Sequence, residues 1–237
     1  LFGYDWVVIG GAKPFYELYF GISGSASQQG LAMSIALVGC MIGACACGWL
    51  ADRLGRRVLL IVSAFIFLSS AILTGAFNTF DAFLAARFFG GIGIGIASGL
   101  SPMYIAEVAP TPVRGKLVAL NQMTIVAGIL AAQIVNWRIA QPIPEGFTPD
   151  DIMNSWNGQM AWRWMFWAAA LPAAVFLLLA FFIPESPRWQ ALRDRRQEAR
   201  DTLARIGGTD YADAEMLAIE TANARTSRRP SGLRKTT

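Results

Sequence analysis

Long apolar runs alternate with short polar breaks along most of this chain. Five runs are about 20 residues long, at roughly 31–50, 58–77, 83–104, 117–136 and 164–183. A hydrocarbon core of ~30 Å needs about that many apolar residues per helix, so each run predicts a membrane-spanning helix. A sixth run opens the chain as LFGYDWVVIGG, residues 1–11. Lys13, Pro14 and Glu17 set its outer boundary near residue 13. A full crossing then needs roughly eight more residues before Leu1, and the start at Leu rather than Met fits a first helix truncated at its beginning. That run has no basic start and no cleavage site, so it does not read as a signal peptide.

After Ile183 the pattern changes. Trp189, Leu192, Ala199, Leu203 and Ile206 fall near one helical face, with Arg193, Arg196 and Arg200 elsewhere. A second helical stretch follows at 211–224, and the tail RRPSGLRKTT reads as disordered. The expected organisation is a six-helix transmembrane bundle over 1–183, a cytoplasmic helical linker over 184–225 and a disordered tail over 226–237.

Composition supports a membrane protein. Charged residues make up 15% of the 237 residues, against about one quarter in a soluble domain. Sixteen of the twenty Lys and Arg lie in 51–57, 110–116 and the segment after Ile183. Six spans put these three segments on one side. The positive-inside rule makes that side the cytoplasm of a multi-pass plasma-membrane protein. The opposite loop, 137–163, is rich in Pro and Trp, and Trp137, Trp156, Trp162 and Trp164 suit an interfacial belt.

The chain has no histidine, which removes imidazole ligands and His-based acid–base chemistry. Cys40, Cys45 and Cys47 share one apolar run without zinc-site spacing and read as small packing residues. No nucleophile–base set or metal site is visible, so an enzyme is not expected. Neither is a nucleic-acid partner.

Four stretches carry candidate chemistry. GWLADRLGRR, residues 48–57, is a tight basic turn in which Gly48 and Gly55 allow close helix approach and an unusual backbone. Asp52 there can accept from helix N-termini or arginines. In RFFGGIGIGIASGLSPMYIAEVAPTPVRGK, Gly91, Gly95 and Gly99 recur every four residues, the small-xxx-small spacing of close helix pairs in lipid. It lacks the G-x-G-x-x-G spacing of a nucleotide loop. Pro102 is expected to kink or end that helix, with Glu107 and Arg114 following. On the fifth run Gln122, Ile129, Gln133 and Asn136 share one helical face, open to two readings: interhelical bonding, or a polar wall for a hydroxylated solute. PESPRW, residues 184–189, ends the last span. Asp5 alone interrupts the opening apolar run, and an ionisable residue inside a membrane is a functional candidate by default.

GYDWVVIGGA, GWLADRLGRR, the RFFGG to VRGKL stretch, NQMTIVAGI, WRWMF and PESPRW stand in the order found in sugar porters of the major facilitator superfamily. The chain resembles the amino-terminal half of those proteins over residues 1–206. The resemblance implies an all-α membrane protein: a six-helix half-bundle that needs a second six-helix half. Alternating access moves a monosaccharide, hexose or pentose, through a midplane site. No cofactor is implied beyond the proton as coupling ion. In the proton symporters the acid at the position of Asp5 is the coupling group and pairs with an Arg at that of Arg87. Passive carriers have Asn instead of Asp. The resemblance also makes Phe2, Gln122, Ile125 and Ile129 sugar-site residues. It assigns Asp52, Arg53, Arg56, Glu107, Arg114, Glu185 and Arg188, with Gly48 and Gly55, to a cytoplasmic gate network. The implied function is sugar–proton symport, with a facilitative uniporter and a transporter-like sugar sensor as alternatives.

Overall fold

The computed structural model describes residues 1–227, and among them every regular element is a helix. Residues 228–237, most of the expected tail, lie outside the described residues. The helices are α1 (Phe2–Tyr19), α2 (Ala26–Leu54), α3 (Arg56–Ala76), α4 (Phe80–Val108), α5 (Thr111–Ile139), α6 (Pro149–Asn154), α7 (Trp162–Ala168), α8 (Ala170–Ala180), α9 (Pro187–Leu192), α10 (Arg196–Gly207) and α11 (Thr209–Ser227). A π-helical turn, Asn157–Ala161, leads into α7. Five stretches are long and apolar enough to cross a membrane: α2, α3, α4, α5 and the continuous Asn157–Ala180. They correspond to the five full-length runs.

Local chemistry sets the boundaries. Ser25 caps α2, its hydroxyl accepting from Gln28 N at 3.4 Å. Gly55 ends α2 at φ +90° and starts α3 at once. A positive φ favours glycine. Pro110 and Pro112 bracket the start of α5, where a missing N–H costs nothing. Ser186 caps α9 by accepting from Trp189 N.

Several boundaries differ from expectation. α1 continues past Lys13 and Pro14 to Tyr19, with Lys13 and Glu17 paired at 3.7 Å one turn apart. α4 runs unbroken through Pro102 to Val108. The last span stops at Ala180 rather than Ile183, where Arg57 Nη2 donates to the Phe181 carbonyl at 2.6 Å. The single amphipathic helix expected after Ile183 is broken at residues 193–195, with Asp194 at φ +58°. Ala199 and Leu203 are therefore buried while Leu192 is exposed.

Two glycine ladders hold α2 against α4. A Cβ on Gly39 or Gly43 would fall on the carbonyl oxygen of Phe88 or Ile92. One on Gly91 or Gly95 would fall on that of Ala36 or Cys40. Such backbone proximity is how helices associate where lipid removes the hydrophobic drive. Away from the basic turns, Tyr16, Phe83, Trp162 and Phe166 form a fully buried aromatic core. Trp162 thus belongs to the core and not to an interfacial belt, while Trp137, Trp156 and Trp164 are exposed. Arg163, also buried, donates to the carbonyls of Gly75 and Phe77 and to Asn78 Oδ1 at 2.7–3.0 Å. It ties the start of α7 to the end of α3.

Candidate transport site

Asp5 lies in the first turns of α1 and Arg87 in the first third of α4. Arg87 Nη1 donates to Asp5 Oδ1 at 2.6 Å, and both side chains are largely buried. The guanidinium also sits 5.4 Å from the centre of the Phe166 ring. Its Nε–H is buried without a hydrogen-bond partner. A cavity of about 240 Å³ opens beside the pair, walled by Phe2, Trp6, Ser34 and Cys40.

A second cavity, about 490 Å³, is lined by Phe2, Gln122 and Ile125 with Asn121, Thr124, Ser98 and Ser101. Its wall mixes amides and hydroxyls with apolar surface, which suits a small hydroxylated solute. Phe2 borders both cavities. Ile129 does not line either. It packs where α5 crosses α1, its Cγ1 3.1 Å from where a Cβ on Gly3 would be. The polar face of α5 divides accordingly. Asn136 is buried and donates from Nδ2 to the Val8 carbonyl at 3.4 Å. Gln122 and Gln133 remain exposed. Interhelical bonding takes one end of the face and leaves the rest open.

The basic turns form a second cluster. Arg56 donates from Nε and Nη2 to the two oxygens of Glu107 at 2.9 and 3.0 Å, and from Nη1 to the Ala51 carbonyl. Asp52 adds an ion pair at 3.2 Å. Glu185 Oε1 accepts from the first backbone N–H groups of α3, Arg56 N at 2.8 Å and Arg57 N at 3.1 Å. A carboxylate at a helix N-terminus is favoured by the dipole and by the unsatisfied donors there. A Cβ on Gly55 would fall on Glu185 Oε2 and displace that carboxylate, and the φ of +90° itself favours glycine.

Four expected gate residues stand apart from this network. Gly48 has open space where a Cβ would go, so no close approach requires glycine there. Arg53 stacks over Trp49 at 4.0 Å and pairs with no acid among the described residues. Arg114 turns back to the Ala109 carbonyl. Arg188 is exposed and makes no side-chain bond among the described residues.

Ser186 was missed. Its hydroxyl is fully buried, donates to Glu107 Oε2 at 2.6 Å and caps α9. The Ser-Pro order at a helix start was the available signal.

Five apolar spans, a buried carboxylate–guanidinium pair and a polar-lined cavity define a multi-pass membrane protein of transporter type. Residues 1–235 match the family described as "Sugar (and other) transporter", and the chain belongs to that family. It is 40% identical over 89% of its length to the glucose transport protein of Synechocystis sp., covering 44% of that protein. It is 37% identical over 93% of its length to the D-xylose-proton symporter of Escherichia coli K12, covering 48%. Its fold matches the major facilitator superfamily proton:xylose symporter XylE bound to 6-bromo-6-deoxy-D-glucose. That match has a TM-score of 0.88 at 33% identity and covers 98% of this chain and 52% of that one. The chain spans about half the length of the relatives it matches.

Proposed function

We propose that this chain is the amino-terminal half of a sugar–proton symporter that works by alternating access. The observation that carries this reading is the Asp5–Arg87 pair, bonded at 2.6 Å next to a cavity. Burial favours the neutral form of a carboxylate and a neighbouring guanidinium favours the charged form. If the second half rocks against the first and changes the distance between Asp5 and Arg87, Asp5 binds a proton in one state and releases it in the other. Phe2, Gln122 and Ile125 contribute one wall of the monosaccharide site, and the other six-helix half contributes the rest. The names of relatives support the substrate class: an arabinose-proton symporter from Bacillus subtilis stands beside the xylose one. Arg56, Glu107, Glu185 and Ser186 form the gate at the basic end, which faces the cytoplasm under the positive-inside rule. The organisation follows: the bundle over 1–183, then the helical linker.

The test is Asp5→Asn in the protein assembled with its second half. Sugar accumulation against a gradient, and alkalinisation of the medium on sugar addition, should both be abolished while sugar exchange persists. Undiminished accumulation would remove the coupling role from Asp5. Wild-type protein that equilibrates sugar without moving protons would make it a uniporter.

A further inference from the structure

The turn between α2 and α3 holds a group of side chains that the transport reading does not use. Trp49 and Arg53 continue the exposed face of α2, and the Trp49 indole is 58% exposed. The Arg53 guanidinium lies 4.0 Å over that ring. Just past the end of α9, Arg193 Nη2 donates to the carbonyls of Asp52 and Arg53 at 3.0 and 3.1 Å. Trp189 Nε1 donates to the Asp52 carbonyl at 3.0 Å, and Arg193 lies 5.5 Å over the Trp189 ring. The bonds of Arg193 thus anchor it at the residue from which the Arg53 side chain leaves the helix.

Among the described residues neither arginine pairs with an acid. Two carboxylates of this region are engaged elsewhere: Asp52 with Arg56, and Glu185 with the start of α3. Leu54 and Leu192 are exposed beside them. Two cations without counter-charge thus sit above exposed indole and aliphatic surface at the end of a spanning helix. Indoles settle at the membrane boundary, and an anionic leaflet attracts basic side chains there. A guanidinium binds a phosphate strongly, through parallel hydrogen bonds.

We propose that Arg53 and Arg193 hold the phosphodiester of an anionic glycerophospholipid, with its acyl chains lying along Trp49 and Leu54. The site is independent of the sugar reading, because none of its side chains borders either cavity.

The test measures lipid retained by the purified protein in detergent, by native mass spectrometry, with phosphatidylglycerol and phosphatidylcholine as probes. Phosphatidylglycerol should be retained in preference. Arg53→Gln should weaken that retention roughly fivefold, and adding Arg193→Gln should weaken it by about the same factor again, from about 1 kcal/mol per basic residue at the surface. Phosphatidylcholine retention should not change. Arg53 makes no side-chain hydrogen bond among the described residues, so Arg53→Gln should melt as the wild type does. Equal phosphatidylglycerol retention by wild type and Arg53→Gln overturns the proposal. Displacement of the lipid by millimolar inorganic phosphate overturns it too, because the site would then be one for a soluble anion.

Discussion

Helix α4 contributes to two buried ion pairs that are built differently. Near its end Glu107 meets Arg56 through two parallel bonds. The remaining Arg56 nitrogen reaches the Ala51 carbonyl, and Ser186 adds a hydroxyl to the carboxylate. Near its beginning Arg87 meets Asp5 through one bond, and its Nε is left buried without a partner. A fully satisfied polar network rigidifies, whereas a half-satisfied one is costly to keep in low dielectric. The first pair is built as a joint. The second is held by fewer bonds, as the proposed proton-coupled switch would require.

The largest expected effect tests that contrast. Arg56→Ala strands a nearly buried carboxylate and should cost about 3–5 kcal/mol. Asp5→Asn also leaves a buried charge, that of Arg87, but keeps an acceptor for the single bond and should cost less, at the low end of that range, about 3 kcal/mol. Thermal unfolding of the purified variants in detergent gives both values. Equal losses would mean that the two pairs are held equally, and the switch reading would lose its structural basis.

The two glycines of the basic turn give a smaller contrast. Gly55 combines φ +90° with a missing Cβ that would strike Glu185. Gly55→Ala should therefore destabilise by about 1–3 kcal/mol, the usual cost of such backbone strain. Gly48 is in the interior of α2 with nothing near its missing Cβ. Gly48→Ala should stabilise by about 0.5–1 kcal/mol through helix propensity alone. Opposite signs in the same unfolding assay would show that one glycine is needed by the turn and the other is not. A loss at Gly48 would mean that another surface packs there.

The spans were legible because hydropathy over 20 residues is a strong signal, and the Asp5–Arg87 pair was legible through the motifs around it. What was not legible has physical reasons. Lys13, Pro14 and Glu17 set an outer membrane boundary near residue 13, which says nothing of where the helix ends: Lys13 and Glu17 pair one turn apart and α1 continues to Tyr19. Trp162 was read by composition as interfacial. Its place in the core depends on Tyr19 and Phe83 arriving from other positions in the chain, which no local pattern reveals. The gate grouping of Gly48, Arg53, Arg114 and Arg188 comes from the motif alone; Asp52, Arg56, Glu107 and Glu185 are the grouped residues whose side chains converge among the described residues. Ser186 converges there too, although its Ser-Pro order signals only a helix start and a serine carries no charge to mark the contact with Glu107.

The smallest effect lies outside the spans. Asp213 on α11 accepts from Arg200 on α10 at 2.6 and 3.1 Å, and that hydrogen bonding holds its carboxyl below the ordinary value of 3.8. A lowered folded pKa means that the pair supports the α10–α11 packing at every pH above 3.8. The support is lost as pH falls through the lower, folded value. Protection of the α10 and α11 amides, with the intrinsic pH dependence of exchange divided out, should therefore be unchanged from pH 7 down to 5 and fall only in stronger acid. Asp213→Asn should show the lowered protection already at pH 7. The pair is solvent-exposed, so added salt should blunt this difference. The buried Arg56–Glu107 joint is shielded from that screening, and exchange in the turn it braces should be insensitive to salt. A salt effect of equal size at both places would mean that water reaches the joint, and its rigidity would need another source.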